Sequence, residues 1–305
     1  MATPADRLLL PSPAKLNLFL RITGRRSDGY HALQTLFQLL EFGDSIILQA
    51  HTDGVLALKH AIPGVAAEDN LAMRAARLLQ KHTGSTRGAL IAIDKRLPMG
   101  GGLGGGSSNA ATVLLGLNRL WGLDLALDEL AALGLQLGAD VPVFVHGRNS
   151  LAGGIGEKLS PLHTGPAFFT VLVPQVNIST ASIFARRELT RDSHAIRIPA
   201  DFGSASSPVA LADWPRGNAL PADALRNDCE PVVRALYPEV DNAINLLSQF
   251  GNARLTGTGG CVFAGFASKA LAEAALQAMP AGIDGFVSAA SNYSGLHRAL
   301  GIAGA

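Results

Sequence analysis

PMGGGLGGGSSNA, residues 98–110, carries six glycines in the seven positions from Gly100 to Gly106 and runs straight into an apolar helical pattern at Ala111, Leu114, Leu115 and Leu117. A helix start presents backbone N–H groups without partners inside the helix, together with the positive end of its dipole. Glycines let such amides meet an anion with no side chain between them. Ser107 or Ser108 is placed to cap the helix. The segment reads as a phosphate loop. It is not a Walker A loop: Gly101 and Gly106 have that spacing, but Ser107 stands where the lysine belongs. Gly100, Gly102 and Gly105 match GxGxxG, but KRLP (95–98) separates the loop from the strand before it. Asp124 and Asp128 fall in a helical pattern rather than at the tip of a second strand. A nicotinamide-dependent oxidoreductase therefore rests on this weak pattern alone.

Outward from the loop, ALIAID (89–94) reads as a strand and NLAMRAARLLQKHTG (70–84) as a helix capped by Asn70 and stopped at Gly84. AKLNLFLRIT (14–23) reads as a strand, GRRSDGYH (24–31) as a loop, and 35–48 as two strands with a turn at Gly43-Asp44. Residues 124–140 read as a helix, VPVFV (141–145) and SLAGG (150–154) as short strands. A second series gives a strand at 168–174 and a helix from Ser179. A Ser-, Pro- and Ala-rich surface loop follows over 191–216, then two helices divided by Pro238 and a final turn, strand, helix and strand. This pattern predicts an α+β protein of two domains, with a boundary near 155–165.

Composition narrows the function. The 305 residues carry a net charge of +1, without the basic excess of a nucleic-acid binder. Hydrophobic residues, at 48%, supply a core and argue against disorder. Cys229 and Cys261 form no CxxC pair and fit small buried hydrophobes in a reducing compartment. The eight histidines include no HExxH. No targeting segment is visible. The longest uncharged stretch, Leu97–Asn118, begins with glycines that favour neither a helix nor lipid. The expectation is a cytoplasmic protein that binds neither membrane nor nucleic acid.

The stretch from Pro98 to Ser108 resembles the second motif of the GHMP kinase superfamily. PSPAKLNLFL (11–20) resembles its first motif and ARLTGTGGCVFAGF (253–266) its glycine-rich third. GRRSDGYHALQTLFQLL (24–40) and GADVPVFVHG (138–147) are closer still to the branch whose alcohol carries a cytidine diphosphate. The resemblance implies a two-domain fold. Residues 1–160 would be a ribosomal-S5-like α/β nucleotide-binding domain and 161–305 a ferredoxin-like α/β domain, with the site between them. It implies ATP-dependent phosphorylation of the 2-hydroxyl of cytidine diphosphate methylerythritol on the non-mevalonate route to isoprenoids. Another alcohol, or a catalytically dead binding protein, are the alternatives. The second would lack the Lys15–Asp140 pair, and both residues are present.

By this resemblance Asp140 accepts the hydroxyl proton and Lys15 pairs with it. Pro98, Gly100, Gly101, Gly102, Leu103, Gly104, Gly105, Gly106, Ser107 and Ser108 bind ATP. Asn17 shares the strand face of Lys15, because residues two apart on a strand point the same way. Tyr30 and Phe184 stack on the two faces of cytosine, His31 reads its edge, and Ile155 and Thr180 line the substrate pocket. Gly257, Gly259 and Gly260 close on the phosphates. Mg²⁺ is expected with ATP, its protein ligands unassigned except for a Ser107 or Ser108 hydroxyl.

Overall fold

The computed structural model describes residues 6–199, 201–211 and 225–302. Two long antiparallel strands, β1 (Arg7–Arg25) and β2 (His31–His51), form its spine. The first half continues with β3 (Leu56–Leu58), α1 (Leu71–Thr83), β4 (Gly88–Asp94), α2 (Gly105–Trp121), α3 (Leu127–Leu135), α4 (Val141–His146), β5 (Ser150–Gly153) and β6 (Lys158–Pro161). The second half holds β7 (Phe168–Val173), α5 (Thr180–Phe184), α6 (Glu230–Leu236), α7 (Pro238–Leu247), β8 (Arg254–Leu255), β9 (Val262–Phe266), α8 (Lys269–Gln277), β10 (Asp284–Ser291) and α9 (Gly295–Leu300). The sheet runs β3-β4-β2-β10-β7-β9-β8, with β1 paired to β2 and β5 bridging β2 and β6. β10 hydrogen-bonds both β2 and β7, so one sheet joins the two halves.

The α+β reading holds, and so do the caps of α1. Asn70 accepts from the N–H groups of Ala72 and Met73, and Gly84 closes the helix in the left-handed region. The Pro238 break is also where it was expected, between α6 and α7. Several elements differ. The turn expected at Gly43-Asp44 is absent, because β2 runs through it. A Cβ on Gly43 would lie 2.2 Å from Ser12 O, so glycine there lets β1 and β2 close up rather than turn. VPVFV is not a strand but the helix α4. Its β-branched residues suit a sheet, but Pro142 lacks a ladder donor and suits a helix start, and Gly147 ends the helix. The helices expected at 124–140 and from Ser179 are the shorter α3 and α5. The expected surface loop, by contrast, carries no helix or strand among its described residues and lies mostly at the surface, anchored at a few points. Ser193 N donates to Ile22 O, Ile196 N to Gln34 Oε1, and Val209 and Leu211 are buried. Residues 200 and 212–216 of that loop lie outside the described residues.

Bulges in the β1–β2 pairing flank the segment from Lys15 to Asn17. This is also where β1 meets the glycine loop, through a bond from Lys15 N to Leu103 O at 3.0 Å. A buried carboxylate anchors the approach to that loop. Asp44 accepts from Lys95 Nζ at 2.7 Å, from the N–H groups of Arg96 and Leu97 at 2.8 Å each, and from Asn109 Nδ2 at 3.0 Å. Asp44→Ala leaves an ammonium and two amides without their acceptor. It should lower unfolding free energy by about 3–5 kcal/mol, measured by urea denaturation; a loss below about 1 kcal/mol contradicts the anchor.

Candidate active site

Lys15 settles between two alternatives, a strand-edge ammonium in water and a buried one. Its side chain is only 3% exposed, against 34% for Asp140. An ammonium has three donors and no acceptor. Here they meet Asn17 Oδ1, Gly102 O at 3.0 Å and Asp140 Oδ2 at 3.1 Å. The cation therefore sits fixed, with the Phe37 ring 5.4 Å away. Asn17 is held in turn: its Nδ2 donates to Thr35 Oγ1 at 2.9 Å, and its backbone N–H to Thr256 Oγ1 at 2.9 Å. Asp140 is the residue before α4, so the proline-started helix delivers its carboxylate to the ammonium.

The glycine loop leads into α2 without a side-chain cap. Gly104 occupies the N-cap position in the left-handed region, and Ser107 and Ser108 lie inside the helix rather than capping it. Side-chain caps would fill the amides that an anion needs; leaving them unfilled suits an anion site. Ser108 is buried and accepts a bond from Ser12 Oγ at 2.9 Å, so it braces α2 on β1. The second glycine segment packs on the first. Thr256 Oγ1 donates to Gly102 O at 3.3 Å, Cys261 N to Gly101 O at 3.0 Å, and a Cβ on Gly260 would lie 2.8 Å from Gly100 O.

These pieces surround a cleft of about 610 Å³. Lys15, Asn17, Pro98, Gly100 to Gly106, Ser107, Asp140, Ile155, Thr180, Phe184 and Gly257 line it. Ser108, Tyr30, His31, Gly259 and Gly260 do not. Gly259 and Gly260 stand behind the wall, against Ile178 and the glycine loop. Tyr30 is 61% exposed at the tip of the β1–β2 turn. His31 stacks directly on Phe184, ring centroids 4.9 Å apart and planes at 19°. Burial, then the charges of Arg191 and Arg25, holds the His31 imidazole below its ordinary pKa and so neutral at pH 7.

Sequence reading passed over several lining residues. Thr258 bonds the Thr180 hydroxyl at 2.8 Å and joins α5 to the second glycine segment. Lys95 lines the cleft beside Gly105. Ile62, Val65, Leu71 and Met99 form an apolar end next to the glycine loop. Thr258 sits inside TGTGG, where the glycine pattern is the only local signal; the apolar end is assembled from separate segments and leaves no linear signal. Among the described residues, no group of three His, Cys, Asp or Glu side chains could hold a metal ion, and no helix is long and apolar enough to cross a membrane.

The model of the GHMP kinases N terminal domain matches residues 70–148, and that of the GHMP kinases C terminal matches 216–284. The class is thus that of the GHMP kinases. The chain is 53% identical over 296 residues to the 4-diphosphocytidyl-2-C-methyl-D-erythritol kinase of Pseudomonas paraeruginosa, covering 97% of this chain and 98% of that one. It is 51% identical to the kinase of the same name from Pseudomonas putida, covering 97% and 96%. A crystal structure of 4-(cytidine 5'-diphospho)-2C-methyl-D-erythritol kinase superposes with a TM-score of 0.74 at 29% identity, covering 93% of this chain and 99% of that one. A homoserine kinase from Cytophaga hutchinsonii shares the fold, with a TM-score of 0.66 at 16% identity. The chain belongs to the 4-diphosphocytidyl-2-C-methyl-D-erythritol kinase family.

The packing of the two glycine segments can be tested directly. At Gly102 φ is +76° and a Cβ would lie 2.2 Å from Thr256 O. Gly102→Ala should cost about 1–3 kcal/mol of stability. Gly153→Ala, whose Cβ would meet none of the described residues within 4 Å, should stay within about 0.5 kcal/mol of the parent. Equal thermal unfolding of the two variants would contradict the close approach.

Proposed function

We propose that this chain transfers the γ-phosphoryl group of ATP to the 2-hydroxyl of 4-diphosphocytidyl-2-C-methyl-D-erythritol and releases ADP, a step on the non-mevalonate route to isoprenoid precursors. The observation that carries this reading is the Lys15–Asp140 pair at 3.1 Å, with Asp140 turned to the cleft beside the glycine loop. Phosphoryl transfer asks little covalent chemistry of a protein. It needs a proton acceptor at the hydroxyl, positive charge near the moving group, and positioning.

In this reading Asp140 takes the hydroxyl proton. Its Oδ2 is engaged by Lys15, which leaves Oδ1 for the substrate. Lys15 holds the carboxylate in place and offers positive charge to the reacting oxygen; Asn17 holds Lys15. The amides at the start of α2 cradle the phosphates, with Lys95 close to Gly105 as a second cation. The adenine lies at the apolar end formed by Ile62, Val65, Leu71 and Met99. Gly257 and Thr258 close the cleft from the second glycine segment. Cytosine stacks on Phe184 with Tyr30 folding over it, and His31 reads the base edge; Ile155 and Thr180 complete that pocket. Residues 1–160 supply the nucleotide side, the reacting pair and Tyr30, His31 and Ile155, and 161–305 add Thr180, Phe184 and the second glycine segment, in a cytoplasmic enzyme.

Mg²⁺ fits as an ion carried by nucleotide phosphates and water, since such ions keep several waters and need few protein ligands. The Ser107 hydroxyl, on the cleft wall at the start of α2, would be its protein ligand, and the ion would neutralise phosphate charge.

An ADP-release assay with the cytidine diphosphate substrate, mevalonate and homoserine tests the assignment; turnover confined to the first supports it, and preference for either of the others overturns it. Asp140→Asn should cut kcat by roughly 10²–10⁴-fold with a small change in KM. Turnover within about threefold of the parent removes Asp140 from the base role. Phe184→Ala should raise KM for the cytidine substrate about tenfold to a hundredfold, the loss of one stack of roughly 1–3 kcal/mol. The KM for ATP should hold; an unchanged substrate KM moves the base elsewhere.

A further inference from the structure

Arg191 opens the segment that reads from sequence as a surface loop, and its guanidinium is wired into the base end of the cleft. Nε donates to His31 Nε2 at 3.1 Å, Nη1 to Leu189 O at 3.1 Å, and Nη2 to Phe184 O at 2.9 Å and to Arg186 O. The ring it holds is the one stacked on Phe184. One planar group therefore ties the first residue of β2 to the end of α5.

A guanidinium has five N–H donors and no acceptor. The bond to His31 can only run from Arg191 to the imidazole, so Nε2 carries the lone pair. The neutral ring then keeps its proton on Nδ1. Nδ1 itself makes no hydrogen bond among the described residues, which leaves it as an N–H donor for a ligand.

We propose that Arg191 is a positioning residue for base selection: it fixes His31 as an Nδ1–H donor, and that donor separates cytosine from uracil. This rests on the cytidine reading above. N3 of cytosine is an acceptor, whereas N3 of uracil carries a hydrogen. An Nδ1–H group pairs with the first and opposes the second. With the proton on Nε2 instead, Nδ1 would accept, and the preference would invert. Stacking on Phe184 does not discriminate, because every base has a π-face. A buried polar group left unpaired does, strongly.

Two readouts test the proposal in the full-length enzyme. The ¹⁵N–¹H spectrum of the His31 imidazole reports the tautomer, and kcat/KM for the cytidine-linked substrate against its uridine-linked analogue reports selection. The parent should show Nδ1–H alone and prefer cytidine by at least about a hundredfold. Arg191→Met should show mixed tautomers and lose at least about tenfold of that preference, mostly through KM. Arg191→Lys, which keeps a cationic donor, should retain part of it and carries the same readouts should the Met variant fail to fold. A purely structural Arg191 would weaken both substrates alike; an unchanged cytidine-to-uridine ratio overturns the proposal. A parent enzyme that uses both substrates equally overturns the cytidine reading, and the proposal with it.

Discussion

A single buried ammonium holds this site in register. Burying a cation without partners costs several kcal/mol, so Lys15 must find acceptors for all three of its protons. It finds them on three different elements: Asn17 on β1, the Gly102 carbonyl in the glycine loop, and Asp140 at the head of α4. Satisfying the lysine thus brings together the strand, the glycine loop and the carboxylate. The Gly102 carbonyl is shared with Thr256, so the second glycine segment is drawn to the same point. The exposure difference within the pair follows from this arrangement. The lysine is walled in as the organising group, and the carboxylate keeps an open side toward the cleft.

The rest of the fold supports that cluster. β10 stitches the two halves into one sheet, and α9 returns to the first half, where His297 Nε2 donates to Val145 O at 2.7 Å near the end of α4. The helix that delivers Asp140 is therefore pinned at its far end by the last helix of the described chain. Asp44 does the same for the other wall, fixing the chain that leads from β4 into the glycine loop.

Much of this was legible in the residues. The glycine run, the Asn70 and Gly84 caps and the Pro238 break each have one local physical cause, and each lies where the sequence put it. The elements misread were those decided by tertiary contact. Gly43-Asp44 carries a turn signature, yet Gly43 serves a close strand approach and Asp44 serves Lys95. VPVFV has strand propensity, yet Pro142 and packing make it a helix. The site was legible where it follows from motifs. Lys15 and Asp140 lie 125 positions apart, and their pairing came from family resemblance; in the folded chain they stand 3.1 Å from each other. Thr258, Lys95 and Arg191 carry no local signal, because the partner each bonds, Thr180, Asp44 and His31, lies far away in the sequence.

In the proposed reaction Lys15 and Asp140 work as one unit in the phosphoryl-transfer step. A double-mutant cycle in single-turnover kinetics addresses this most directly, with ATP and the cytidine diphosphate substrate at saturation and Lys15→Met, Asp140→Asn and their combination compared. If each residue is useless without the other, the double variant loses no more than the worse single variant, because groups that act as a unit are strongly non-additive. If the two losses simply multiply, the residues act independently, and the buried pair is not the organising centre of the site.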